Sequence, residues 1–267
     1  MRQLGKKNVI GILIDAVDYE ASVDFILNAA RARRGAAISA LAVHGVMTGV
    51  LDSAHKFRLN HFDLLVPDGQ PVRWVLNWLH RTHLADRVYG PNLVLKVCER
   101  AATEGQSVYL YGSTTEILSA LHKSLDERFP GIRIAGSEPS KFRRLTRTEK
   151  LDLATRIVDS GASITFVGLG CPRQESFAYE FRDALSMPIL AVGAAFPFIA
   201  GYIAQSPRWM QDAGLEWLFR LCTEPRRLWR RYLYLNPAYL FLVALQASGL
   251  SQFTTDGQLP IEEVLAG

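Results

Sequence analysis

The sequence predicts an α/β protein: a mostly parallel sheet with flanking helices, followed by a C-terminal helical appendage. Three observations predict it. Short apolar runs alternate with longer helical stretches, the pattern of parallel strands joined by crossover helices. Most of those runs stop at Gly or Pro, the residues that end strands and open turns. The composition then changes after Gly201: residues 201–250 hold six Arg and no Lys, and Trp209, Trp217 and Trp229 are three of the five tryptophans.

Taken in order, residues 9–14 are expected as a strand, before a helix near 19–34. Residues 37–43 form the next strand, before a helix over 49–60. The run 64–66 stops at Pro67-Asp68-Gly69, and a helix follows through Leu79. Residues 91–104 read as a helix ending near Gly105. The strand at 107–111 stops at Gly112-Ser113-Thr114, and the helix at 115–128 stops before Pro130-Gly131. A strand at 132–135 and a helix at 148–160 follow. The strand at 163–167 meets Gly168-Leu169-Gly170, and the strand at 188–192 meets Gly193. The chain therefore divides into an α/β core over 1–200, a basic aromatic appendage over 201–250, and a tail over 251–267. The tail carries three acidic residues and no basic one, and is expected to be loosely ordered.

Composition limits the function classes. The 267 residues are 49% apolar and 21% charged, which excludes a disordered or collagen-like chain. The net charge of +4 and pI near 9.0 suit an anionic ligand or a membrane surface without calling for nucleic acid. Cys98, Cys171 and Cys222 are odd in number and widely spaced, so no disulfide framework is expected and the thiols read as reduced and cytosolic. The longest apolar stretch, residues 237–247, is too short to span a bilayer but suits an interface. The basic N-terminus lacks the long apolar region and cleavage site of a signal peptide.

In an open parallel sheet, ligands bind beyond the carboxyl ends of the strands. Those ends carry the glycine turns at Gly112, Gly168, Gly170 and Gly193, where a backbone can approach a nucleotide or sugar phosphate; ordinary loop geometry also explains them. Gly168-Leu-Gly170 lacks the third glycine of a dinucleotide fingerprint, and no P-loop is present. No Asp-x-Asp pair offers to hold a metal, so a leaving diphosphate would rely on Arg and backbone N–H groups. The six His show no ligand spacing, and no metal or cofactor is expected. Asp68 is the candidate base at the sheet rim; its alternative is a turn or helix cap. Cys171 sits near a helix start, where a thiol pKa falls, but no Cys–His pair accompanies it and a structural role is expected. His44, at the end of the second strand, either faces the pocket or packs.

The appendage interleaves Arg220, Arg226, Arg227, Arg230 and Arg231 with Trp217, Trp229 and Tyr232. Arg forks grip diphosphates, and Trp and Tyr favour membrane interfaces, so a peripheral membrane contact is expected. A solvated charged face over a buried Trp stripe is the alternative. Beyond an enzyme, two other classes stay open: a nicotinamide-dependent oxidoreductase, and a non-catalytic basic module for membrane or nucleic acid.

Six ordered segments resemble the WecG/TagA/CpsF glycosyltransferases (glycosyltransferase family 26). They are Val66-Pro67-Asp68-Gly69-Gln70-Pro71, Arg87-Val88-Tyr89-Gly90-Pro91-Asn92-Leu93 and Tyr109-Leu110-Tyr111-Gly112, then Val167 to Glu175, Val192 to Phe196, and Ser206 through Gly214-Leu215-Glu216-Trp217 to Glu224-Pro225-Arg226-Arg227. The resemblance implies a Rossmann-like core and an inverting, metal-independent hexosyltransferase. Its donor would be a UDP-sugar and its acceptor a polyprenyl-diphosphate-linked saccharide, in bacterial exopolysaccharide or envelope synthesis. It further implies a cytoplasmic location, peripheral at the inner face of the membrane; oligomeric state is left open. The family's catalytic Asp falls on Asp68, its Arg on Arg87 and its Gln on Gln174. Its diphosphate arginines fall on Arg220, Arg226 and Arg227, and Gly112, Gly168, Gly170 and Gly193 would admit UDP. Three departures bear on donor contacts. Ala40-Leu41-Ala42 replaces the usual Thr-x-Asn, Asn92 replaces an aspartate, and Phe196-Pro197-Phe198 replaces Phe-Asp-Phe.

Overall fold

The computed structural model describes residues 3–267; Met1 and Arg2, which open the basic N-terminus, lie outside the described residues. Strands β1 (Gln3–Val9) and β2 (Ile12–Val17) form an antiparallel hairpin. Ile10 and Gly11 turn it with φ of 46° and 90°, the left-handed pair that a two-residue hairpin requires. Residues 9–14, expected as one strand, are thus the two strand ends and the turn between them. The apolar Ile10 hides a turn that Gly11 alone signals only weakly.

The main sheet is six-stranded, all parallel, in the order β4-β3-β8-β7-β5-β6. Its strands are β3 (Ala36–Leu41), β4 (Leu64–Pro67), β5 (Ser107–Gly112), β6 (Arg133–Glu138), β7 (Ile164–Gly168) and β8 (Pro188–Ala191). β4, β5 and β8 are buried along their whole length, as a parallel sheet covered on both faces demands. The hairpin covers the β4 edge: the Asp15 carboxylate accepts the Leu65 N–H at 2.8 Å.

Helices α1 (Tyr19–Arg31), α5 (Gly90–Thr103), α6 (Thr115–Arg128) and α9 (Ala195–Ile199) contribute to the apolar cluster on one face. Those contributing to the other are α2 (Val43–Leu51), α3 (Ser53–Asn60), α4 (Gln70–His80), α7 (Arg147–Asp159) and α8 (Arg173–Phe181). Local chemistry sets their starts. Asp18 caps α1, Thr114 caps α6, and Thr146 with Glu149 forms a capping box on α7. The helix expected over 49–60 is two helices, because Asp52 caps α3 by accepting from His55 N at 2.9 Å.

The appendage comprises α10 (Arg208–Asp212), α11 (Glu216–Thr223) and the 23-residue α12 (Pro225–Ala247). α12 lies against α2 and buries Leu228, Tyr239 and Val243. Gln246 ties its end to the hairpin, accepting from Ile10 N at 2.8 Å and donating to Asn8 O at 3.0 Å. No helix among the described residues is long and apolar enough to cross a membrane.

The tail, expected to be loose, runs extended over the core. Asn8 and Asn60 donate to the carbonyls of Phe253 and Thr255, and the Glu180 carboxylate accepts from Val264 N and Leu265 N at 2.6 and 3.0 Å. Ser140 Oγ donates to the Gly267 carbonyl at 2.8 Å. These partners are spread through the chain, so no local pattern in the tail announces them.

The Asp15–Leu65 bond closes a buried edge donor, so Asp15→Ala is expected to cost about 1–3 kcal/mol in urea unfolding.

Candidate active site at the carboxyl ends of the strands

The carboxyl ends of β3, β4, β7 and β8 open onto a cavity of about 490 Å³. That volume suits a nucleotide-sized ligand. α11 and α12 close it with Arg220, Arg227 and Arg231. A smaller cavity of about 110 Å³ continues from it, sharing Ala42, His44, Asp68, Glu216, Arg220 and Arg231, and extending to Gln70 and Trp217.

Asp68 lies at the junction of the two cavities, half-buried, one residue beyond β4. It does not cap α4, the helix that follows it: Gly69 occupies that cap with no side-chain bond. Instead Asp68 Oδ1 accepts the Gly90 N–H at 2.6 Å. Burial pushes its carboxyl up to about 6, and the nearby Glu216 charge adds to that rise. Arg87, the Gly90 N–H and Arg220 hold it back. The group therefore changes charge near neutral pH, where a proton acceptor works best.

Arg87 is 6% exposed and makes an ion pair with Glu216 at 2.6 Å. Its guanidinium stacks on the Tyr89 ring at 4.4 Å and reaches Gln211 Oε1 at 3.4 Å. Sequence reasoning gave Arg87 to the ligand; it lines the smaller cavity beside Asp68 and also engages the appendage.

Arg220, Arg227 and Arg231 share the cavity wall. Arg227 and Arg231 are one turn apart on α12, which puts them on one face. Arg227 pairs with Glu224, and Arg220 lies 3.7 Å from the same carboxylate. Burial lowers the Arg231 pKa, and Arg220 and Arg227 add to it by repulsion. Buried Nε atoms of Arg220 and Arg231, with Gln70 Oε1 and His44 Nδ1, have no hydrogen-bond partner. Unsatisfied buried polar atoms around one cavity mark a place for a polar ligand.

The other expected residues divide. Gly170 (φ 79°) borders the cavity with open space where a Cβ would stand. Gly193 makes room for Gln174: a Cβ there would lie 2.6 Å from Gln174 Oε1. Gln174 is 5% exposed, borders the cavity, accepts from Gly170 N at 3.1 Å and donates to Glu175 at 2.9 Å. Gly168 also borders the cavity, and the Phe196 ring occupies the space of its missing Cβ. Gly112 lets β5 approach β7, since a Cβ would meet the Gly168 backbone at 2.8 Å, and it does not border the cavity. Asn92 and Arg226 are exposed and border neither cavity.

Sequence reasoning assigned no individual site role to Arg231, Glu216 or Gln70, although Arg231 stood among the appendage arginines and the other two within the family segments. Arg231 had a signal, its spacing of four from Arg227. His44 faces the cavity, and burial pushes its imidazole down to about 4, so it is neutral. The expectation that Cys171 sits where thiol pKa falls is reversed: burial raises it well above its usual value, and Glu175 adds to the rise.

A third cavity, of about 560 Å³, adjoins the second through Val43, Pro71, Gly214, Trp217 and Asn236. Its wall is apolar, with Trp74 and Trp78 of α4 facing Trp217, Leu240 and Val243. Trp78, Leu240 and Phe241 are each more than 60% exposed, far beyond what a packed stripe would show.

Comparison with known proteins gives a match to the family model described as "Glycosyl transferase WecG/TagA/CpsF family" over residues 7–252. An N-acetylglucosaminyldiphosphoundecaprenol N-acetyl-beta-D-mannosaminyltransferase of Bacillus spizizenii is 28% identical over 186 residues, covering 69% of each chain. A protein of the same name from Bacillus subtilis is 25% identical over 220 residues, 82% of this chain and 83% of its own.

Breaking a mostly buried ion pair from one side leaves a charge uncompensated, so Arg87→Met is expected to lower stability by about 3 kcal/mol. It is also expected to speed cleavage within residues 208–231 in limited proteolysis, while cleavage within the core sheet stays slow.

Proposed function

Because the chain belongs to the WecG/TagA/CpsF glycosyltransferase family and is therefore a glycosyltransferase, we propose that it moves a sugar from a UDP-sugar to a polyprenyl-diphosphate-linked saccharide, with inversion and with no divalent cation on the diphosphate. The reading of the chain as a nicotinamide oxidoreductase or a non-catalytic basic module gives way to the family match. The acceptor class follows the names of the two Bacillus relatives, whose acceptor is a diphosphoundecaprenol-linked N-acetylglucosamine. The setting is bacterial envelope or exopolysaccharide synthesis.

The single observation that carries the mechanism is Asp68, ionisable near neutrality, facing a cavity walled by three arginines. Asp68 Oδ1 is held by the Gly90 N–H, and the other oxygen takes the proton of the acceptor hydroxyl. The hydroxyl oxygen then attacks the anomeric carbon as its bond to UDP breaks, and the electron pair leaves with the diphosphate. Arg220, Arg227 and Arg231 meet that charge in place of a metal ion. Gly170 gives the nucleotide access to backbone, and Gly193 makes room for Gln174, which holds the Gly170 turn at the cavity. Ala40 and Ala42, at the positions where the family resemblance implies Thr and Asn, offer no polar contact, and His44 beside them offers a neutral imidazole.

The apolar groove supports a peripheral membrane location. It continues from the arginine cluster, so a lipid chain leaving the diphosphate would pass Trp217 and lie between Trp74, Trp78 and Leu240. Exposed Trp, Leu and Phe beside Arg230 and Arg226 suit an anionic lipid surface.

Asp68→Asn is expected to lower turnover on the order of 10²–10⁴-fold while UDP binding by calorimetry stays near wild type. Near-normal turnover would remove Asp68 from the chemistry. Arg231→Ala is expected to weaken UDP binding, and adding Mg²⁺ or Mn²⁺ is expected to leave wild-type turnover unchanged.

A further inference from the structure

Beneath the large cavity, three side chains of metal-ligand type converge from separate elements. His55 stands in the first turn of α3, Cys171 in the turn after β7, and Glu175 in the first turn of α8. One ligand atom from each lies within 4.8 Å of the other two. A point central to three such atoms is no more than about 2.8 Å from each, and zinc bonds of roughly 2.0–2.3 Å need only a small inward movement.

The cluster's histidine and carboxylate are buried, Cys171 is half-buried on the cavity wall, and the set is incompletely bonded. His55 is 2% exposed and Glu175 is 1% exposed. His55 Nε2 and Glu175 Oε2 have no hydrogen-bond partner, although each is shut off from solvent. Glu175 Oε1, by contrast, is fixed by Ser39 Oγ at 3.0 Å and Gln174 Nε2 at 2.9 Å. Those bonds orient the carboxylate as outer partners orient a metal ligand. The Cys171 sulfur lies beside the Glu175 carboxylate and otherwise reaches only the distant Thr48 hydroxyl, at 4.0 Å. An orphaned imidazole nitrogen and an orphaned carboxylate oxygen facing a thiol are costly to bury unless something satisfies them together.

We propose that His55, Cys171 and Glu175 bind a thiophilic divalent cation, zinc by preference. Thiolate, imidazole and carboxylate are the donor types zinc takes, and thiolate with carboxylate neutralises its double charge. Binding releases the Cys171 thiol proton to solvent as the S–metal bond forms. The ion fastens the turn after β7 to α3. Because Glu175 also holds Gln174, it fixes the cavity floor that Gln174 and Gly170 shape. It takes no part in neutralising the diphosphate, which falls to the arginines, so the sequence expectation of no metal site is the point this proposal revises. The histidine and the other two ligands are over 110 residues apart in the chain, beyond any spacing motif.

The test is independent of sugar transfer. The purified full chain is stripped of metal with a chelator, then titrated with Zn²⁺ and, separately, with Co²⁺. The expected result is one ion per chain by elemental analysis, a Zn²⁺-dependent rise in Tm, and a thiolate-to-cobalt charge-transfer band in the near ultraviolet. Cys171→Ser is expected to lose that band, and His55→Gln to weaken Zn²⁺ by more than the roughly 10- to 100-fold that losing an outer partner costs. Circular dichroism checks that both variants fold. A folded wild-type chain that takes up neither ion at micromolar concentration overturns the proposal. So does Co²⁺ binding that lacks the charge-transfer band or persists unchanged in both variants. Should Asp68→Asn keep full turnover while cobalt still binds through Cys171, the transferase mechanism fails and the metal site stands.

Discussion

The site depends on the ion pair between Arg87 and Glu216. One partner precedes α5 in the core and the other opens α11 in the appendage, 2.6 Å apart and mostly buried. Pairing lets each charge stay buried, and it places the appendage over the carboxyl ends of β4 and β3. Asp68 is the third member of the set. It senses Arg87, Glu216 and Arg220 as alternating charges, so its proton affinity depends on how the appendage sits. The core supplies the carboxylate, and the appendage tunes it.

The same closure brings the positive charge to the right place. Burial depresses the Arg231 pKa and the neighbouring Arg220 and Arg227 add to it, while Glu224 pairs with Arg227 and lies near Arg220. A cluster of that kind is poorly satisfied alone and well satisfied by a diphosphate, which accepts several Arg hydrogen bonds at once. Polar arginines then give way, over a few residues of α12, to the apolar Trp-lined groove. A substrate with a sugar, a diphosphate and a hydrocarbon chain would meet surfaces in that order.

The sequence made the parallel sheet legible because five of its six strands are short, mostly buried runs closed by Gly, Pro or a cap, as at Pro67-Asp68 and Gly168-Leu169-Gly170, while the edge strand β6 has no buried residue. Asp68 was legible from its place after β4, although only the structure separates a cavity carboxylate from a cap. Elsewhere local pattern and tertiary role parted. Gly112 and Gly168 look alike as turn glycines, yet one spaces two strands and the other also borders the cavity. Arg226 and Arg227 are adjacent letters and both are exposed, but the 100° step of a helix brings only Arg227 to the cavity wall. Cys171 follows a turn near a helix start, and burial beside Glu175 outweighs that position. Arg87 borders the smaller cavity as its motif suggests, but its ion-pair partner, 129 residues away, lies outside any local pattern. The His55–Cys171–Glu175 cluster and the tail's bonds to Glu180 are likewise long-range, so no window of sequence contains them.

The most direct measurement is the pH dependence of kcat/KM for sugar transfer, in the wild-type enzyme and in Glu216→Gln. An ionised Asp68 is the active form, so the rate should rise with pH through a limb near 6. Removing the Glu216 charge takes away a repulsion and frees Arg87, so the limb should move to lower pH in the variant. A limb near the ordinary carboxylate range in the wild type, or one that Glu216→Gln leaves in place, would contradict the account.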